Sequence, residues 1–262
     1  MKYSISTLFL LSTSVLLSAC VTSSPTGRNQ VLLFDGPEMA QLGEQSFAEM
    51  KKQEKINSDP KINTYVQCVS TSITNTLGKQ PDFDQWEVVV FDSPQINAFA
   101  LPGGKIGVYT GLLNVAKNQD QLAAVIGHEI AHVQANHSNE RLSNTKIAGY
   151  GSDAGKAMIE GSEYQEMGMA ALGLGVEYGI IMPYGRAQES EADIIGLKLM
   201  NNAGFDPQQS VDLWKNMAVA SGGNEPMEFL STHPSNKTRI QNLQQELKSL
   251  PKSTHARPQC LL

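Results

Sequence analysis

The chain has 262 residues, 40% of them hydrophobic and 18% charged, with a net charge of −6. This is ordinary globular composition, enough for one domain or one domain with a tail. The acidic balance and the lack of any lysine or arginine run exclude an electrostatic nucleic-acid binder.

The first twenty residues stand apart. Lys2 gives a positive start, Ile5 to Leu17 a short apolar stretch, and Leu17-Ser18-Ala19-Cys20 places small residues ahead of a cysteine. This is the layout of a secretory signal, and the run is too short to span a bilayer comfortably. The cysteine after Ser18-Ala19 resembles the lipobox of bacterial lipoproteins. That resemblance implies a signal peptide over residues 1–19, cleavage before Cys20 and a lipid on its sulfur. Acyl chains anchor firmly, at about 0.8 kcal/mol per buried CH₂. The same resemblance implies sorting to the outer membrane, facing the periplasm, because Val21 stands where aspartate retains lipoproteins at the inner membrane. In that compartment Cys68 and Cys260 can form a disulfide.

Residues 20–36 are expected to be the lipidated terminus and a flexible tether, because Val21 to Arg28 is rich in Ser, Thr, Pro and Gly. Residues Glu38 to Glu54 read as a helix. A second follows Ser58-Asp59-Pro60, a capping residue ahead of a first-turn proline. Ile62, Tyr65, Val66, Val69, Ile73 and Leu77 give it a core face. Trp86 to Phe91 is a strand by its β-branched and aromatic content. Asn97 to Tyr109 reads as strand, Pro-Gly-Gly turn and strand. Thr110 to Val115 starts a helical turn, and Gln119 to His137 a helix whose apolar residues recur near 3.6 spacing. Residues 138–183 carry little signal. Within them, Met167 to Met182 is apolar, is interrupted by Glu177 and glycines, and suits a buried or flap helix more than a membrane span. Helices are then expected from Tyr184 to Asn202, from Pro207 through Met217 and from Asn236 to Leu250, with residues 251–262 as a polar tail.

The chemistry centres on Gly127-His128-Glu129-Ile130-Ala131-His132. On a helix His128 and His132 lie one turn apart on one face, where two imidazoles can grip one metal ion. Glu129 between them can reach water at that metal, the H-E-x-x-H pattern of zinc peptidases. His137 falls five residues after His132, about 140° round a continuous helix, and is read as a structural hydrogen-bonding residue. A catalytic zinc takes three protein ligands and keeps one position open. Glu189 is the favoured third ligand, with Glu191 as the alternative. Asp193, one turn beyond Glu189, is placed to hold the free N–H of a ligand imidazole, that of His128. Glu129 is the expected general base. His233, in Thr232-His233-Pro234, is either an oxyanion donor or a fourth ligand that keeps the site latent. The strand Asn97, Ala98, Phe99, Ala100 is either part of a plain hairpin or an edge to which an extended substrate adds.

Four segments together resemble family forty-eight of the metallopeptidases: Asn97-Ala-Phe-Ala-Leu-Pro-Gly-Gly104, Gly127 to His132, Glu189-Ser-Glu-Ala-Asp193 and Thr232-His-Pro234. HtpX, the Oma-type peptidases of mitochondria and the CAAX prenyl proteases belong to it. The lipobox makes the chain most similar to periplasmic members such as LoiP and the peptidase domain of BepA. The resemblance covers about residues 37–250, taken as one metallopeptidase domain. It implies a gluzincin-like α+β fold, mainly α, with a small β-sheet flanking the zinc cleft. It further implies one Zn²⁺ per chain on His128, His132 and Glu189, the edge-strand role for residues 97–100, and a site role for His233. No role is assigned to Arg239. The chain lacks the transmembrane helices of HtpX and ends where BepA continues into helical repeats. The expected function is zinc-dependent endopeptidase activity on misfolded or outer-membrane proteins, as periplasmic quality control. Its expected partners are protein or peptide substrates, the membrane through Cys20, and the outer-membrane assembly machinery. The rival is a zinc-stabilised chaperone or assembly factor whose proteolysis is latent or secondary.

Overall fold

The computed structural model describes residues 21–156, 184–220, 229, 233 and 237–262. The leader, Cys20 and the apolar stretch 167–182 lie outside the described residues.

The architecture is α+β and mainly helical. Two helices come first: α1 (Gly36–Gln53) and α2 (Pro60–Thr74). Asp35 caps α1 by accepting from the Glu38 amide at 2.8 Å, and Asp59 caps α2 through the Lys61 amide at 2.8 Å. These side-chain acceptors satisfy first-turn amides that a helix leaves without partners. Tyr65, Val66, Val69 and Ile73 form the buried face of α2.

A three-stranded sheet follows, built from β3 (Glu87–Phe91), β4 (Ala98–Leu101) and β5 (Lys105–Tyr109) in the order β3-β5-β4. β3 runs parallel to β5, and β4 antiparallel to it with Ala98 opposite Val108. Gly103 and Gly104 make the β4–β5 turn with φ of 80° and 73°, a region that costs glycine no Cβ clash. β4 is therefore an edge strand, and it packs against the next helix.

That helix, α3 (Gln119–Gln134), is the axis of the molecule. Asn118 caps it by accepting from the Gln121 amide at 2.9 Å, and every side chain from Asp120 to His132 is buried. A helix covered all round sits at the centre of a core. Around it lie β4, α2, α5 (Arg186–Asn202) and α6 (Gln209–Ala220), and α7 (Lys237–Ser249) closes over α5 and α6. Among the described residues no helix is long and apolar enough to cross a membrane.

Two expectations are corrected and one is met. Residues 21–31 are not a free tether but a hairpin, β1 (Val21–Ser23) paired antiparallel with β2 (Asn29–Val31). Ser24-Pro25-Thr26-Gly27 is turn chemistry as much as linker chemistry: the Gly27 amide donates to Ser24 O and the Ser24 amide to Arg28 O, both at 2.8 Å. The disulfide open to Cys68 and Cys260 is formed, and it pins the tail 251–262. Cys68–Cys260 staples it to α2, the Cys260 amide donates to Gln119 Oε1 at 2.8 Å, and Arg257 pairs with Asp120. Finally, α3 does not run to His137. It ends at Gln134, Asn136 turns left-handed with φ of 54°, and His137 opens α4 (His137–Lys156). Asparagine tolerates that conformation better than most residues.

Candidate metal centre

Helix α3 carries His128 and His132 one turn apart, with Nε2 atoms 3.0 Å from each other. Helix α5 crosses α3 closely enough to bring Glu189 opposite them, its oxygens 3.5 Å from His128 Nε2 and 3.6 Å from His132 Nε2. His233 enters from the segment before α7, its Nδ1 3.3 Å from His128 Nε2 and 3.0 Å from Glu189 Oε1. The four side chains are buried, and one ligand atom from each lies within 4.8 Å of all the others. Three imidazole nitrogens and one carboxylate oxygen converging in a dry pocket are the donor set and number that suit a tetrahedral Zn²⁺. The sequence placed His128, His132, Glu189 and His233 at this point, and the fold brings them together.

Around the donors lies a shell that orients them. His128 turns its Nδ1 towards Asp193 Oδ1, 3.1 Å away. Arg239, to which the sequence gave no role, bridges both acidic residues: Nε reaches Asp193 Oδ2 at 2.7 Å and Nη1 reaches Glu189 Oε2 at 2.6 Å. Its guanidinium also sits 4.0 Å from the Trp214 ring. Tyr184 stacks on His132 at 3.7 Å between ring centroids, and Phe229 stacks on His233 at 4.6 Å. These rings pack against the donor imidazoles. No motif in the sequence announced Arg239 or Tyr184, because both act across the fold.

His137 and Glu191 are also supporting residues. The break at Asn136 swings the His137 ring back, so its Nδ1 lies 2.9 Å from His132 Nδ1. Five residues span 140° only on a continuous helix, and this one breaks at Asn136. The structural reading of His137 holds, yet its partner is a metal-site imidazole. Glu191 is neither a ligand nor a solvated charge, being 3% exposed and hydrogen-bonded to Thr26, Arg28 and His137.

The electrostatics follow from burial and these partners. Burial pushes the Glu129 carboxyl above its ordinary value, although His233 and His128 pull the other way. Burial works against the charged form of Glu189, but His128 and His233 overrule it and hold the carboxylate well below the usual range. Asp193 is likewise held down, chiefly by Arg239 acting against burial. Burial and the neighbouring cationic groups keep His132 neutral, the form that coordinates a metal. His137 is lowered to about 4, burial outweighing the Glu191 hydrogen bond. Glu129 Oε1, buried and 3.4 Å from His233 Nε2, forms no hydrogen bond among the described residues.

Peptidase family M48 matches residues 60–247, a span that holds the whole donor set. The chain belongs to this family. It is similar to the mitochondrial metalloendopeptidase OMA1 of Schizosaccharomyces pombe, 40% identical over 164 residues, or 62% of this chain and 47% of that protein. The Saccharomyces cerevisiae protein of the same name is 34% identical over 217 residues, 77% of this chain and 60% of that one. The β-barrel assembly-enhancing protease of Escherichia coli K12 is 28% identical over 218 residues, 78% of this chain and 42% of that protein. The chain thus spans about half the length of the curated relatives it matches. The M48 match and the buried His-His-Glu-His set agree on zinc as the metal.

Proposed function

We infer that the chain is a zinc-dependent endopeptidase. The observation that carries this reading is the convergence of His128, His132, Glu189 and His233 within 4.8 Å, with Glu129 buried beside them. When bound there, zinc supplies Lewis-acid polarisation of a scissile carbonyl and lowers the pKa of water towards 7. His128, His132 and Glu189 would hold the ion. Glu129, raised by burial, accepts the proton of the attacking water and passes it to the leaving amine. Asp193 faces the His128 ring, and Arg239 pairs with both Asp193 and Glu189 and keeps Asp193 ionised. β4 is the outer strand of its sheet, and an extended peptide pairing with it at Asn97 to Ala100 would add a strand beside α3. His233 Nδ1 stands among the donors, which favours the fourth-ligand role and a latent resting state over the oxyanion role.

The cellular setting rests on the leader. The lipobox-like Leu17-Ser18-Ala19-Cys20 supports a lipid anchor at Cys20 and a place at the bacterial outer membrane, facing the periplasm. The Cys68–Cys260 disulfide supports an oxidising compartment. Misfolded or outer-membrane proteins are the proposed substrates, with a link to outer-membrane assembly supported by the name of the Escherichia coli relative. Residues 37–250 form the proposed peptidase domain.

The second reading, a zinc-stabilised chaperone or assembly factor, is favoured by the fourth donor. The substitution Glu129→Gln separates the two. The peptidase reading expects casein cleavage to fall by about 10³-fold or more with zinc retained. Unchanged biological activity in that variant would favour the chaperone.

A further inference from the structure

The metal site is supported from an unexpected direction. His132 Nδ1 lies 2.9 Å from His137 Nδ1, and His137 Nε2 lies 3.2 Å from Glu191 Oε2. Glu191 is then gripped by the β1–β2 hairpin: Thr26 Oγ1 donates to its Oε1 at 2.6 Å and Arg28 Nε to its Oε2 at 2.8 Å. The other end of the Arg28 guanidinium pairs with Glu140 at 2.5 and 2.7 Å. All the inner members are buried, with His137 at 0% and Glu191 at 3% exposure.

The hydrogen-bond directions allow one consistent arrangement. A His132 that offers Nε2 to a metal carries its proton on Nδ1 and donates it to His137 Nδ1. His137 then carries its own proton on Nε2 and donates to Glu191. Glu191, now accepting from His137, Thr26 and Arg28, has its charge compensated by the hairpin. Removing any member frees the next, down to the ring that grips the metal.

We propose that Arg28, Thr26, Glu191 and His137 are positioning residues of the metal centre, so that the hairpin beginning at Val21 is part of its architecture. They act on His132, whereas the Asp193–Arg239 pair faces His128. Supporting groups of this kind alter metal affinity by about 10–100-fold. The proposal rests on the reading of the donor cluster as a zinc site.

The test is zinc affinity of the purified full chain by competition with a chromophoric chelator, together with the visible spectrum of the cobalt-loaded protein. Arg28→Met and His137→Gln are expected to weaken zinc binding about tenfold or more and to shift the cobalt bands. Arg28→Lys should recover part of the loss. The milder Thr26→Val, which keeps Arg28, serves if Arg28→Met does not fold, and should weaken binding by a few-fold. Glu140→Gln removes the other partner of Arg28 but leaves Arg28 on Glu191, so it should weaken zinc binding less than Arg28→Met. Combining Arg28→Met with His137→Gln should cost no more than His137→Gln alone. If wild type binds zinc and the Arg28, Thr26 and His137 variants bind it equally, with unshifted cobalt bands, the relay is overturned. Failure of the wild type itself to bind zinc would instead overturn the metal-site reading.

Discussion

Gly127 of α3 and Gly196 of α5 meet face to face. A Cβ on Gly127 would fall 2.9 Å from Gly196 O, and one on Gly196 would fall 2.8 Å from the backbone nitrogen of His128. Both contacts are with backbone, so no side chain can swing away to relieve them. This crossing sets the separation between the helix that bears the two imidazoles and the helix that bears Glu189.

Substituting Gly196→Ala should therefore damage the site through geometry, with no ligand changed. The two helices must part, and overpacking of this kind costs typically about 1–3 kcal/mol. The expected outcome is a lower melting temperature together with weaker zinc binding. A variant that melts lower but holds zinc as tightly as wild type would show that the crossing does not set the donor spacing.

The Cys68–Cys260 bridge joins residues 192 positions apart and fastens the C-terminal stretch over the start of α3. Losing a native disulfide typically costs about 2–5 kcal/mol. Replacing both cysteines with serine should lower denaturant stability in that range. Zinc should still bind, because the bridge lies at the far end of α3 from His132.

Site and fold were unequally legible in the sequence. The His128–His132 pair was readable because a helix fixes the relation of residues four apart, and Glu189 with Asp193 was readable for the same reason. The three strands, the capped starts of α1 and α2 and the Pro-Gly-Gly turn were local signals too. What escaped depended on distant parts meeting. The chain turns at Asn136, just after α3, without a glycine or proline to mark the break, so a continuous helix puts His137 on the wrong face. Ser24 to Arg28 has a composition shared by linkers and tight turns, and only pairing of Val21 with Val31 decides between them. Arg239 lies 46 residues from Asp193, and nothing local ties the two.

Acid should loosen the hairpin first. Burial opposes ionisation of Glu140, but Arg28 and Gln188 overrule it and hold its pKa below the ordinary 4.5. A carboxylate lowered in the folded state adds stability that is fully present above its unfolded pKa. That contribution fades as pH falls through the folded value. Limited proteolysis of residues 21–31 should thus be flat from pH 7 to about 5 and rise below about 4.3. In Glu140→Gln the hairpin should already be sensitive at pH 7.

The most direct measurement is the zinc content of the purified full chain by elemental mass spectrometry, with folding followed by circular dichroism. The account expects about one zinc per folded wild-type chain, retained in Glu129→Gln and lost in a His128→Ala, His132→Ala double variant that still folds. A folded wild-type chain that carries no zinc and takes none up would contradict it.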